Sequence, residues 1–198
     1  MSYRTALEMD KMPDVSVVLP TYNRQAQLQQ VLVGLEQQSY PLTDFEVIVV
    51  SDGSTDGTNE YLQTFAKETP LDLTVVIQTN QGPAAARNNG VQAAKGELVL
   101  FIDDDVVPVP QLIEAHMATH QRYPGEVVVM GPMLTPTEFD MKPWVRWEQA
   151  MLDKQYATIT ADAGKTDARR FYTGNASWPV VICFKPMALT QRSGARKM

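Results

Sequence analysis

Short β-branched runs alternate with segments of helical period over the first two thirds of the chain. Residues 15–20, VSVVLP, are the kind of apolar run that a parallel sheet buries on both faces. Leu28, Val31, Leu32 and Leu35 follow at helical spacing with glutamines between them, so TYNRQAQLQQVLVGLEQQS is predicted to be a helix with one apolar face. The cycle then repeats. FEVIVVSD at 45–52 is a second strand, and STDGTNEYLQTFAKE opens with turn residues before setting Tyr61, Leu62 and Phe65 at helical spacing. LDLTVVIQ is a third strand, GPAAARNNGVQAAKG an alanine-rich helix closed by Gly96, and ELVLFI a fourth strand. QLIEAHMATHQRY reads as a helix and EVVVMGP as a strand. Beyond Gly131 the pattern weakens to one helix around residues 144–156 in otherwise loop-like sequence. The βαβαβαβ order predicts a Rossmann-like three-layer α/β sandwich with a mainly parallel sheet and helices on both faces.

Composition narrows what such a sandwich binds. The chain has 198 residues, 44% hydrophobic and 20% charged, the make-up of an ordinary globular domain. Its formal net charge of -6 argues against a surface made to grip a nucleic-acid backbone, so no nucleic-acid partner is expected. Cys183 is the single cysteine, the first residues lack the apolar core of a secretory signal, and the longest apolar runs are strand-sized. A cytoplasmic setting without a transmembrane segment is the expectation.

In an open parallel sheet, ligands bind where the chain leaves the carboxyl ends of the strands. Here those ends read PTYNR, SDGSTDG, QTNQGPAAARNNG and DDD. Right-handed crossovers bring them to one edge, so Thr21, Tyr22, Asn23, Asp52, Arg87, Asp103, Asp104 and Asp105 are candidates to surround one ligand. Three adjacent carboxylates raise one another's pKa and need a positive partner once desolvated. A hard divalent cation, Mg2+ or Mn2+, is such a partner and leaves positions for substrate phosphates. On an extended segment Asp103 and Asp105 share a side, the metal and diphosphate side, whereas Asp104 takes the other, on a sugar hydroxyl or on a loop surface.

VSVVLPTYNR, EVIVVSDGSTDGT, NQGPAAARNNGVQAAKGELVLFIDDDVVP and FYTGNAS, in that order and spacing, resemble the family 2 glycosyltransferases of the GT-A fold over roughly residues 15–177. The resemblance implies a metal-dependent, inverting transferase that takes a sugar from a nucleotide-diphosphosugar, usually UDP-linked, to a saccharide or lipid-linked acceptor. It places the work in the cytoplasm, at the inner face of a membrane if the acceptor is lipid-linked. Thr21 and Tyr22 then belong to the nucleobase pocket, with core packing under the first helix as the alternative for Tyr22. Asp52 contacts the base or ribose, and Asp56 caps a helix. Arg87 approaches the nucleotide or holds Asp52, with a solvated helix arginine as the alternative. Asp103 to Asp105 match the DxD motif: Asp103 and Asp104 serve the nucleotide-sugar, and Asp103 and Asp105 the metal. Asn175 borders the acceptor or is a turn asparagine. Trp144, Trp147 and Trp178 stack on sugars or cover the sheet, and His116 and His120 are solvated helix histidines.

The family's general base would follow the NAS segment, yet no Asp or Glu follows Asp167. The resemblance therefore implies a family domain over residues 14–179, between an extension at 1–13 and a truncated or divergent tail at 180–198. The catalytic base is left unassigned, with Glu148, Asp153 and Asp167 as substitutes. A nucleotide-sugar-binding module without turnover is the alternative function. A nucleotidyltransferase would need a glycine-rich loop after the first strand, and PTYNRQAQ has no glycine.

Overall fold

A computed structural model describes residues 12–136, 142–162 and 170–183. The elements run β1 (Val15–Thr21), α1 (Gln25–Glu36), β2 (Phe45–Asp52), α2 (Thr58–Glu68), β3 (Asp72–Gln78), α3 (Pro83–Ala93), β4 (Leu98–Ile102), α4 (Leu112–Arg122), β5 (Val129–Met130), α5 (Pro143–Ala161), β6 (Asn175–Pro179) and the short α6 (Val180–Cys183). They form one six-stranded sheet in the order β3-β2-β1-β4-β6-β5. The first four strands are mutually parallel, and β6 runs antiparallel to both β4 and β5.

Alternation along the buried strands builds two cores. Val15, Val17 and Leu19 point to the face covered by α1, α2 and α4, where Leu28, Leu32, Leu62 and Ile113 are fully buried. Val18, with Ile48, Val50, Val99 and Phe101, points to the opposite face, where α3 supplies Ala86 and Val91. That helix lies close because Gly90 has no side chain: a Cβ there would sit 2.4 Å from Val18 Cγ1. Contrary to the sequence reading, Gly96 does not close α3, which ends at Ala93. Gly96 instead lies against Ser16, whose backbone nitrogen would be 2.7 Å from an added Cβ.

The chain order reverses at β1, which has β2 on one side and β4 on the other. Loops leaving β1 and β4 diverge there, opening the crevice that doubly wound sheets use for ligands. Two departures from the expected pattern lie at the far edge. EVVVMGP forms only the two-residue β5, and Asn175–Pro179, in the stretch with a loop-like pattern, forms β6.

Candidate functional site

Beyond the last β1–β4 pair, Val18 against Phe101, the end of β1 still meets the loop that leaves β4. The Thr21 hydroxyl donates to Asp104 Oδ2 at 2.8 Å. Asp104 is thus not a loop-surface carboxylate: it is 7% exposed, and Arg24 Nη1 donates to its other oxygen at 3.2 Å. Burial pushes its carboxyl above the ordinary range, against the opposing pull of the Thr21 hydroxyl and the Arg24 charge. The same Arg24 Nη1 reaches Asp105 Oδ2 at 2.6 Å. These contacts, the Asp105 hydrogen bond foremost, raise the guanidinium pKa still further.

Asp103 has its own cation. Arg87 Nη2 donates to Asp103 Oδ1 at 2.5 Å, so Arg87 holds Asp103 and not Asp52. Nor is Arg87 a solvated helix arginine, for its Nε is buried without a hydrogen-bond partner. Gly174, next to β6, makes room for this pair: an added Cβ would lie 2.7 Å from Asp103 Oδ2.

Asp52 ends β2 and is 4% exposed. Its Oδ1 accepts from Gln78 Nε2 and the Gln81 N–H, and its Oδ2 from the Gly82 N–H, each at 2.8 Å. The carboxylate therefore fixes the loop that opens α3. Asn89 Nδ2 donates to Gln78 Oε1 at 2.6 Å, which turns the Gln78 amide nitrogen towards Asp52. Asp56 behaves as the sequence suggested, accepting the Thr58 N–H and hydroxyl at the start of α2, and it also accepts the Gln25 N–H that opens α1. Its solvation loss works against ionisation, but these hydrogen bonds outweigh it and hold the carboxyl below its usual range. Asn23, left-handed at φ 53°, accepts the Thr55 N–H at 2.7 Å and so ties the first two strand-end loops together.

The strand ends open onto a cavity of about 470 Å³, which Asn23, contrary to expectation, does not line. Thr21, Tyr22, Asp52, Arg87, Asp103, Asp104 and Asp105 all contribute, as do Arg24, Asn80, Gly82, Pro83 and Ala86, which sequence reasoning passed over. Tyr22 is 48% exposed in its wall and does not pack under α1. Four carboxylates face two guanidiniums here, an excess of two negative charges, the charge of one divalent cation. Among the described residues no group of three or more His, Cys, Asp or Glu side chains can hold a metal alone. The aspartate segment is not extended as expected: the Val106 N–H donates to the Asp103 carbonyl at 3.1 Å and closes a turn, so Asp104 and Asp105 share Arg24 while Asp103 faces Arg87. Asp103 and Asp105 supply hard oxygens too few to close a coordination shell. That set fits Mg2+ or Mn2+ taking its other ligands from phosphate and water.

The polar residues of β6 are used elsewhere. Asn175 opens β6 and is not a turn asparagine; it is 3% exposed and does not line the cavity, its Nδ2 donating to the Pro132 carbonyl at 3.2 Å and its Oδ1 lying 3.0 Å from His116 Nε2. Because that oxygen only accepts, His116 carries its proton on Nε2 and its Nδ1 accepts the Ser177 hydroxyl at 2.7 Å. Ser177 in turn accepts from His120 Nε2 at 2.8 Å. His116, buried, and His120, half-buried, are thus struts between α4 and β6, contrary to the solvated reading. Burial lowers both pKa values, that of His116 to about 4. A folded-state value below the unfolded one means stability that is fully present above about pH 6.5 and lost as pH falls towards 4, about 3 kcal/mol for His116. Urea unfolding at pH 7.5 and pH 4.5 should show this loss, and His116→Gln should remove most of the difference. Equal stabilities at the two pH values would contradict a neutral buried imidazole.

Trp178 covers the sheet, stacked on Phe101 with ring centroids 4.6 Å apart, whereas Trp144 and Trp147 are exposed on α5. Of the substitute bases, Glu148 and Asp153 are exposed on α5 and do not line the cavity, and Asp167 lies outside the described residues. No described helix is long and apolar enough to cross a membrane.

Known proteins are similar to this chain in sequence and fold. Validoxylamine A glucosyltransferase of Streptomyces hygroscopicus subsp. jinggangensis is 40% identical over 121 residues, 60% of this chain and 28% of that protein. Glycosyltransferase AglE of Haloferax volcanii is 38% identical over 110 residues, 54% of this chain and 36% of that protein. Among solved structures, mannosyltransferase PcManGT from Pyrobaculum calidifontis, in complex with GDP-Man and Mn2+, matches with a TM-score of 0.65 at 26% identity, covering 86% of this chain and 45% of that one. S. aureus TarS in complex with UDP-GlcNAc matches with a TM-score of 0.57 at 31% identity, covering 65% of this chain and 37% of that one. The chain thus spans less than half the length of each of these relatives. The fold is the GT-A α/β sandwich, with a mixed, mostly parallel sheet. Residues 16–196 match glycosyl transferase family 2, and the chain belongs to that family.

Proposed function

We propose that this chain carries the donor half of a sugar-transfer reaction, binding a nucleotide-diphosphosugar, UDP-linked, at the strand-end cavity with Mg2+ or Mn2+. The supporting observation is the charge imbalance of that cavity, four carboxylates against two guanidiniums. A nucleotide diphosphate is itself anionic, so it enters such a site as a complex with a divalent cation. Asp103 and Asp105 hold the cation, which when bound stabilises the charge developing on the departing diphosphate.

The remaining roles belong to the chain's own groups. A carboxylate offers about four acceptor positions, and Asp52 uses three of them on Gln78, Gln81 and Gly82. One is left for a base imino or ribose hydroxyl donor. Tyr22 presents its exposed ring to the base, and Thr21 acts by keeping Asp104 in place for the nucleotide-sugar. Arg87 fixes Asp103 from α3, the helix whose positive N-terminus borders the cavity.

Saturation-transfer NMR with UDP-glucose, UDP-N-acetylglucosamine and GDP-mannose, each with Mg2+ or Mn2+, tests this reading. The expected result is signal from base, ribose and sugar protons of at least one UDP-sugar, displaced by UDP. Absence of signal from every donor would overturn it. Hydrolysis or transfer in the same samples separates a transferase from a module that binds the donor without turnover.

A further inference from the structure

Arg24 and Arg87 neutralise the aspartates in different ways. Arg87 and Asp103 have side chains 20% and 36% exposed, whereas Arg24 and Asp105 are 47% and 51% exposed. The second pair is therefore well screened by water and weakly held. Its position is nonetheless decisive, because Arg24 Nη1 lies 2.6 Å from Asp105 Oδ2, an oxygen of the carboxylate proposed to hold the cation. The guanidinium takes one of about four acceptor positions of that carboxylate, and its positive charge beside the others opposes a second cation there. Asp104, by contrast, keeps its Thr21 hydrogen bond when Arg24 leaves.

We infer that Arg24 is a placeholder cation: it pairs with Asp105 while the site lacks metal, gives that carboxylate up to the divalent ion, and turns to the incoming diphosphate. This rests on the donor reading above and adds to it a residue with two opposite effects. Arg24 opposes the metal when the metal comes alone, and favours it when the metal arrives with phosphates. Its place as the residue before the first turn of α1, in the wall of the cavity and without a side-chain capping bond, leaves it able to make the exchange. An arginine suits that second partner, since its planar fork matches phosphate oxygens.

The test uses the full chain as wild type, Arg24→Gln and Arg24→Lys. Free Mn2+ is followed by electron paramagnetic resonance without nucleotide, and UDP and uridine are then titrated at saturating Mn2+. Arg24→Gln should bind Mn2+ alone about fivefold tighter, the scale of one exposed ion pair. The same variant should bind UDP about tenfold more weakly, the scale of one charge-assisted phosphate contact, with uridine affinity unchanged. Arg24→Lys, which keeps the charge, should restore most of both effects. If the wild type binds UDP with Mn2+ but Arg24→Gln binds Mn2+ no tighter, or loses uridine as much as UDP, the placeholder role is overturned and the donor reading stands. A wild type that takes up neither Mn2+ nor UDP overturns the donor reading and this inference with it.

Discussion

Asp105→Ala is expected to abolish the manganese-dependent gain in UDP affinity, about tenfold or more in Kd, while leaving the unfolding transition nearly where it was. The two halves of that expectation have separate causes. Asp105 is half exposed and its one hydrogen-bonded partner, Arg24, is also half exposed, so its removal strands no buried group and costs little stability. With it, however, goes one of the two cavity carboxylates proposed to hold the divalent cation. A magnesium-type ion held by few protein oxygens cannot spare one without losing most of its affinity. Asp103→Ala should damage binding and stability together, because Arg87 would lose its partner with its Nε already unpaired. Calorimetry and thermal melts on the two variants distinguish these patterns.

Asp52→Ala should cost about 4 kcal/mol of folding stability, the largest effect expected of any single cavity residue. Three donors converge on this buried carboxylate, two of them backbone N–H groups that would be left without an acceptor. Asp52→Asn should fall between, since its amide keeps one accepting oxygen and turns a donor towards the other partner. The loop from Asn80 to Pro83 lines the cavity, so nucleotide affinity should decline in the same order, wild type above asparagine above alanine. Urea titration with parallel UDP binding checks both rankings. Asp52→Ala as stable as the wild type would show that the loop does not depend on this carboxylate.

The four parallel strands and the helices between them were legible because their buried positions are apolar and their periods differ: two along Val15 to Leu19, nearly four along Leu28 to Leu35. The strand-end rule then gathered seven lining residues without any contact being known. What stayed hidden has a common physical reason. β6 buries Asn175 and Ser177, polar residues that no hydrophobic pattern marks, and they become buriable only through His116 and His120, nearly 60 residues away in sequence. For the same reason the histidines read as solvated. Arg24 was passed over although it sits in the PTYNR stretch. The signal was present: three adjacent aspartates require positive charge, and an arginine leaves the neighbouring strand. Gly174 likewise sits within TGNAS, where the asparagine is the conspicuous polar residue, but it is the absence of a Cβ that admits Asp103.

Calorimetric titration of the wild-type chain with UDP, in Mn2+ and then in excess chelator, tests the central claim most directly. The account predicts saturable one-to-one binding in Mn2+ that weakens by at least about tenfold when the metal is removed. Binding of equal strength in both conditions, or none in either, would contradict a cavity whose excess negative charge is matched by a divalent cation and a nucleotide diphosphate.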